Sequence, residues 1–241
     1  MNNSELVVNA VAAALEREKG VNLHSFPLRL EFEDGVLTME GDLEHIMAKK
    51  RTLEAAAAVP GVVRIVDRLR LVPAEQMQDG EIRDHVCNAL LAENLLATCA
   101  LWAIVKGQPE VVREADQGMY GSIDVEVNDG VVILNGAVPN LSVKRLAGVL
   151  AWWVPGSRDV VNGIEVNPPE EDNDDEVVDA VRLVLEKNPF INASQISVRC
   201  TNYVVTLAGL VKNGVQRQMA ESDVWYVFRV DRVVNQLRVE E

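Results

Sequence analysis

Three segments of this 241-residue chain carry one pattern at one internal spacing. Asp34-Gly35-Val36-Leu37-Thr38-Met39-Glu40-Gly41 is followed, 28 positions after its last glycine, by Leu69. Asp129-Gly130-Val131-Val132-Ile133-Leu134-Asn135-Gly136 is followed at the same distance by Ile164, and Asn202-Tyr203-Val204-Val205-Thr206-Leu207-Ala208-Gly209 by Leu237. The closing segments align as well: Val66-Asp67-Arg68-Leu69, Val161-Asn162-Gly163-Ile164 and Val234-Asn235-Gln236-Leu237. A pattern that recurs three times at fixed spacing is one supersecondary unit repeated, so a single sheet running through the whole chain is excluded.

Each copy has the same periodicities. Apolar residues at helical spacing (Val7, Val11, Ala14, Leu15 in the first copy) predict opening helices over 5–18, 81–95 and 175–187. Alternating strands follow, with Leu28, Leu30, Phe32; Ile123, Val125, Val127; and Ile196, Val198, Cys200 on one face. A tight turn at Asp34-Gly35, Asp129-Gly130 or Asn202-Tyr203 leads into a second strand. Gly35, Gly41, Gly130, Gly136 and Gly209 are read as structural glycines at these turns and at the strand-to-helix entries. A second helix and a last strand complete an α-β-β-α-β order, whose β-α-β part requires a right-handed crossover. The expected fold class is α+β, three tandem modules over 1–73, 79–168 and 173–241, each a small mixed sheet with two helices on one face.

The D-G-V-x-x-L-x-G run, and the closing Val59-Pro60-Gly61-Val62 with Val66-Asp67-Arg68-Leu69, resemble the BON domain (bacterial osmotically inducible protein and nodulation). Copies one and two follow the pattern. Copy three departs from it, with Tyr203 where the others have Gly35 and Gly130, and Arg229 where they have Gly61 and Gly156. The resemblance implies a non-catalytic module that binds phospholipid surfaces or mediates attachment, usually in bacterial envelope proteins, and a stress-related role.

The middle copy is longer by about twenty residues than its neighbours between opening helix and hairpin. The extra segment falls at about 97–118 and is apolar: residues 87–105 include Leu90, Leu91, Leu95, Leu96, Leu101, Trp102, Ile104 and Val105, with Glu93 the one charge. The expectation is a helical insertion, one helix over 87–105 stopped by Gly107 and a second over 109–117 opened by Pro109. It is not read as a transmembrane span, because Asn88, Glu93, Asn94 and Thr98 interrupt it and no basic flank orients it. The second helix of this copy adds Leu146, Val149, Leu150 and Trp153 beside its sheet-facing row of Ala147, Ala151 and Val154. Leu101, Trp102, Leu146, Val149, Leu150 and Trp153 are therefore the candidate contact residues. The inserted segment, another copy, a second chain in a homo-oligomer through module 2, a protein partner or a lipid surface would cover them.

Net charge of −14 excludes a broad nucleic-acid binder, which needs a basic footprint. No signal-peptide pattern opens the sequence, and the three cysteines form no CxxC, so a cytoplasmic protein, peripheral to the membrane at most, is expected. His85, Cys87 and Cys99 lack the ligand number of a zinc site, and no GxSxG, Walker loop, GxGxxG or HExxH is present. No catalytic residue, metal or cofactor is expected. The acidic run from Pro168 to Asp175 is read as a solvated linker whose last acids cap the next helix. The function expected is a non-catalytic interaction protein engaging a protein partner or phospholipid surface. The alternative is a cytoplasmic stress sensor that binds a small ligand or ion.

Overall fold

In a computed structural model describing residues 3–114, 118 and 120–240, the repeat has the expected order. The first module runs α1 (Asn3–Arg17), β1 (Arg29–Glu33), β2 (Val36–Leu43), α2 (Ile46–Ala57) and β3 (Arg64–Leu71). The second runs α3 (Asp79–Ala92), β4 (Cys99–Val105), β5 (Gln108–Arg113), β6 (Gly121–Asn128), β7 (Val131–Val138), α4 (Leu141–Trp152), β8 (Asp159–Asn162) and β9 (Glu165–Val166). The third runs α5 (Asp174–Lys187), β10 (Ile196–Thr201), β11 (Val204–Val211), α6 (Gly214–Tyr226) and β12 (Arg232–Val239).

The sheets are separate. In modules one and three the order is β1-β2-β3 and β10-β11-β12, a hairpin followed by a parallel return. The opening helices bury equivalent i, i+4, i+8 stripes: Val7, Val11, Leu15; Ile82, Val86, Leu90; Val177, Val181, Leu185. The second helices are capped alike. His45 Nδ1, Asn140 Oδ1 and Asn213 Oδ1 accept from the amides of Ala48, Val143 and Gln216.

The recurring glycines lie inside β2, β7 and β11, with φ of 145°, 115° and 136° at Gly41, Gly136 and Gly209. A Cβ on Gly136 would land on the Ser122 carbonyl oxygen, and one on Gly209 on that of Gln195. The hairpin partner's backbone fills the space a side chain needs, and this requires glycine more directly than the turn into the next helix.

The insertion is not helical, and the two helices expected over 87–105 and 109–117 are corrected here. α3 ends at Ala92, because Glu93 takes an extended backbone (φ −86°, ψ 116°) and its carboxylate accepts from the Leu95 amide. The chain then enters β4, turns at Lys106-Gly107 (φ 50° and 75°), and returns as β5. Two successive positive φ values make the turn whose twist matches a two-residue hairpin. β4 lies parallel to β6, so the hairpin extends the middle sheet to the order β5-β4-β6-β7-β8, with β9 also on β7. Residues 115–117 of the expected second helix lie outside the described residues.

The chain divides into two compact units, Met1–Val72 and Pro73–Glu241. Modules two and three share the second unit, with α4 packed against α5 and α6.

Candidate docking faces of the middle module

The apolar surplus of the middle module is divided between two faces. On α4, Leu146 and Val149 are wholly buried and Leu150 nearly so, while Trp153 is half-buried. Module three provides the cover. Trp153 Nε1 donates to Asp223 Oδ1 on α6 (3.1 Å), and Asn188 Nδ2 at the end of α5 donates to the other oxygen (2.6 Å). Trp152 stacks on Tyr226 with ring centroids 5.6 Å apart. Arg145, 1% exposed, donates to the Phe228 carbonyl and pairs with Asp172. Lys187 on α5 reaches Glu93 beyond α3 at 2.9 Å. Leu146, Val149 and Leu150 thus touch this chain and present no surface to an outside molecule while modules two and three stay together.

Burial pushes the Asp223 carboxyl up to about 6, against the opposing hydrogen bonds from Asn188 and Trp153. The acidic linker is stapled down along much of its length rather than merely solvated. Glu170 accepts from the Leu141 amide, Asp172 holds Arg145, and Asn173 caps α5. Asp174 accepts from the amides of Asn202 and Tyr203 at the hairpin turn, as Asp79 does from Asp129 and Gly130 in module two. These bonds to the ionised form, with that of the Cys200 thiol, hold the Asp174 carboxyl below its ordinary value.

The second face is the side of the middle sheet turned away from its helices. Leu101 pairs with Ile123 and lies on the helix side, 1% exposed. Its neighbour Trp102 takes the opposite face by strand alternation, between Asp124 on β6 and Val111 on β5. Two residues on, Ile104 pairs with Pro109 on the same side. Farther across, Glu126, Ile133 and Val161 align on that face. Val111 and Val161 are half-exposed, and Trp102, Ile104 and Ile133 are partly exposed. The corresponding face in module one is mainly a charge ladder: Arg29, Glu40 and Arg68 lie in one row, Asp42 and Arg70 in another, and the row equivalent to Glu126, Ile133 and Val161 is Glu31, Thr38 and Val66. An open face laddered with alternating charge is readily solvated, whereas one centred on a tryptophan and four branched aliphatics leaves apolar surface exposed to water. Of the six candidate residues, Trp102 alone lies on it. The sequence signal for its companions is the Trp-Ala-Ile-Val alternation before Lys106-Gly107, which sets Trp102 and Ile104 on one side.

The thiols are poor nucleophiles. Burial pushes Cys87 up to about 11 and raises Cys99; burial and the bond to Asp174 push Cys200 up to about 12. His24 and His85 are exposed on the first and second modules, and His45 is a helix cap. Among the described residues no group of three or more His, Cys, Asp or Glu could hold a metal ion. No helix of the described residues is long and apolar enough to cross a membrane.

Among solved structures, the chain is similar to the C-terminal domain of CdsD, the structural protein of the type III secretion system of Chlamydia trachomatis. That match has 13% identity and a TM-score of 0.26 over 100% of each chain. A second CdsD structure from the same organism matches with 14% identity and a TM-score of 0.25, over 98% of this chain and 93% of that one. No curated protein matches it. The family model for the BON domain matches residues 5–73, 109–168 and 173–241. With three matched segments that together exceed half its length, the chain belongs to the BON domain family and carries three tandem copies.

Proposed function

We propose that this protein is a non-catalytic docking protein that binds a protein partner through the open face of its middle sheet. The carrying observation is the contrast between the Trp102-centred apolar face of module two and the charge-laddered face of module one. Module three has a different task, that of covering α4 and fixing module two in a two-module body. BON modules serve binding and interaction, and an added hairpin that widens one sheet with apolar residues is the kind of change that makes a module specific.

Of the two occupants the family implies, a protein surface fits better than a phospholipid one. Asp124 and Glu126 lie on the face, on a chain of net charge −14, and anionic headgroups would be repelled. The test places a photoreactive amino acid at Val111 in the native cell. Discrete protein adducts that vanish when Trp102→Asp is added are expected. In parallel, neutral and anionic vesicles should leave the chain at the bottom of a flotation gradient. Flotation that depends on Trp102, with no protein adduct, would replace the protein partner by a lipid surface.

A further inference from the structure

Resting on the docking face just proposed, we infer that its occupant is a basic amphipathic helix of a partner protein, lying along β4 with its cations over Asp124 and Glu126. The face is striped along the strand direction. β5 and β4 contribute Pro109, Val111, Trp102 and Ile104; β6 contributes Asp124 and Glu126; β7 and β8 contribute Ile133 and Val161. Asp124 and Glu126 are two residues apart on one strand, which places their Cα atoms about 7 Å apart. Cationic residues at i and i+4 of a helix are about 6 Å apart along its axis, so two successive lysines or arginines match the two acids. Apolar residues at i+3 and i+7 of the same helix form the adjoining stripe, on the flank turned toward β4 with its Trp102 and Ile104.

Charge selects among the occupants. Among the described residues neither Asp124 nor Glu126 has a hydrogen-bond or ion-pair partner, so both carboxylates are free to take a cation. A second copy placed face to face would set Asp124 and Glu126 against their own counterparts, and an anionic lipid would meet the same repulsion. An extended segment adding to the sheet edge is disfavoured by Pro109. In a two-residue hairpin closed by Val105 and Gln108, Pro109 sits at a non-hydrogen-bonded position, where its nitrogen faces the outer edge and offers no donor. A helix needs no edge donors. It completes a three-layer sandwich, because α3 and α4 already cover the other side of the same sheet.

The experiment titrates the full chain by calorimetry with two synthetic helices of about fourteen residues (roughly four turns), identical in their leucine stripe and carrying either lysine or glutamate. The lysine helix is expected to bind and the glutamate helix not to bind. The double variant D124N/E126Q should weaken the lysine helix about tenfold or more. The variant E40Q/D42N, which removes the same charge from the open face of module one, should leave it unchanged. Equal weakening by the two double variants, or equal binding of the two helices, overturns the proposal. Absent lysine-helix binding with Val111 adducts still formed in cells also overturns it, and leaves the docking face standing. Loss of both removes the docking face itself.

Discussion

The Lys49 ammonium lies 3.1 Å from Asp67 and donates to the Leu69 carbonyl, tying the middle of α2 to β3. Asn162 and Asn235 hold the equivalent place in the other modules and make this tie with their own amides, donating to the Lys144 and Arg217 carbonyls. In all three, the side-chain oxygen also accepts from the amide two residues on, at Leu69, Ile164 and Leu237. The position needs an acceptor toward the strand and a link toward the helix. Asparagine supplies both, whereas aspartate needs a lysine.

Lys49→Met should therefore destabilise module one by about 2 kcal/mol, because Asp67 keeps its charge without its counter-ion. Asp67→Asn in the same chain should restore most of the loss by donating to the carbonyl of residue 49. Urea denaturation of the single and double variants checks this, and a double variant no better than Lys49→Met would refute the equivalence.

Asp223 predicts a pH effect on the second unit. Its carboxyl is raised to about 6 in the folded chain, above an ordinary value of 3.8, so the folded state holds its proton more tightly. The contribution is fully present below the ordinary value and is lost as pH rises through about 6. It is worth roughly 2–3 kcal/mol at about 1.4 kcal/mol per unit. Between pH 7 and pH 4, wild type should gain stability relative to Asp223→Asn when chemical denaturation is followed at each pH. Equal pH profiles for the two proteins would show that the buried carboxyl does not titrate in this range. Asp174 acts in the opposite sense: its lowered value contributes stability above the ordinary carboxylate range, which is lost as pH falls below it.

Copy three retains its turns without the glycines. Tyr203 and Arg229 stand at φ of 60° and 68°, and the guanidinium lies 4.3 Å from the tyrosine ring centroid. Each position carries a strain of about 1 kcal/mol that glycine would avoid, and the stack offsets part of it. The two residues should show coupling of about 0.5–1 kcal/mol in a double-mutant cycle of Tyr203→Gly and Arg229→Gly. Additive costs in denaturant would contradict a functional stack.

Gly136→Ala and Gly209→Ala should each cost more than 3 kcal/mol, about the range of severe core substitutions. A left-handed φ and a blocked Cβ act together at both positions. Thermal melts check this, and an unchanged midpoint for either would mean that the hairpins shift at low cost.

The repeat was legible because its residues meet local rules: helical stripes, strand alternation and turn dipeptides that act within one module. The insertion is not legible as strands, because Leu90, Leu91, Leu95, Leu96 and Leu101 form a continuous apolar run that favours a helix, and periodicity alone does not separate such a run from a buried strand. The break depends on one extended residue, Glu93, whose side chain caps its own following turn. The sequence shows that α4 needs cover and leaves open whether the insertion, another copy or another molecule supplies it; module three does. Asp223, Asn188 and Tyr226 are dispersed in sequence and converge only in the folded unit. The open Trp102 face is the least legible, because it depends on the register of β4 against β6, which sets Trp102 beside Asp124.

The two apolar faces of the middle module are proposed to have opposite tasks, and one comparison tests this most directly. Trp102→Asp and Leu146→Asp are made separately in the chain carrying the Val111 photocrosslinker, and each is measured for melting midpoint and adduct yield. Trp102→Asp should abolish the adducts and shift the midpoint by no more than about 3 °C, roughly 1 kcal/mol for a unit of this size. Leu146→Asp should lower the midpoint by far more, because it buries an unpaired carboxylate between α4 and module three. Full adduct yield from Trp102→Asp, or a Leu146→Asp chain that melts normally and loses its adducts, would contradict it.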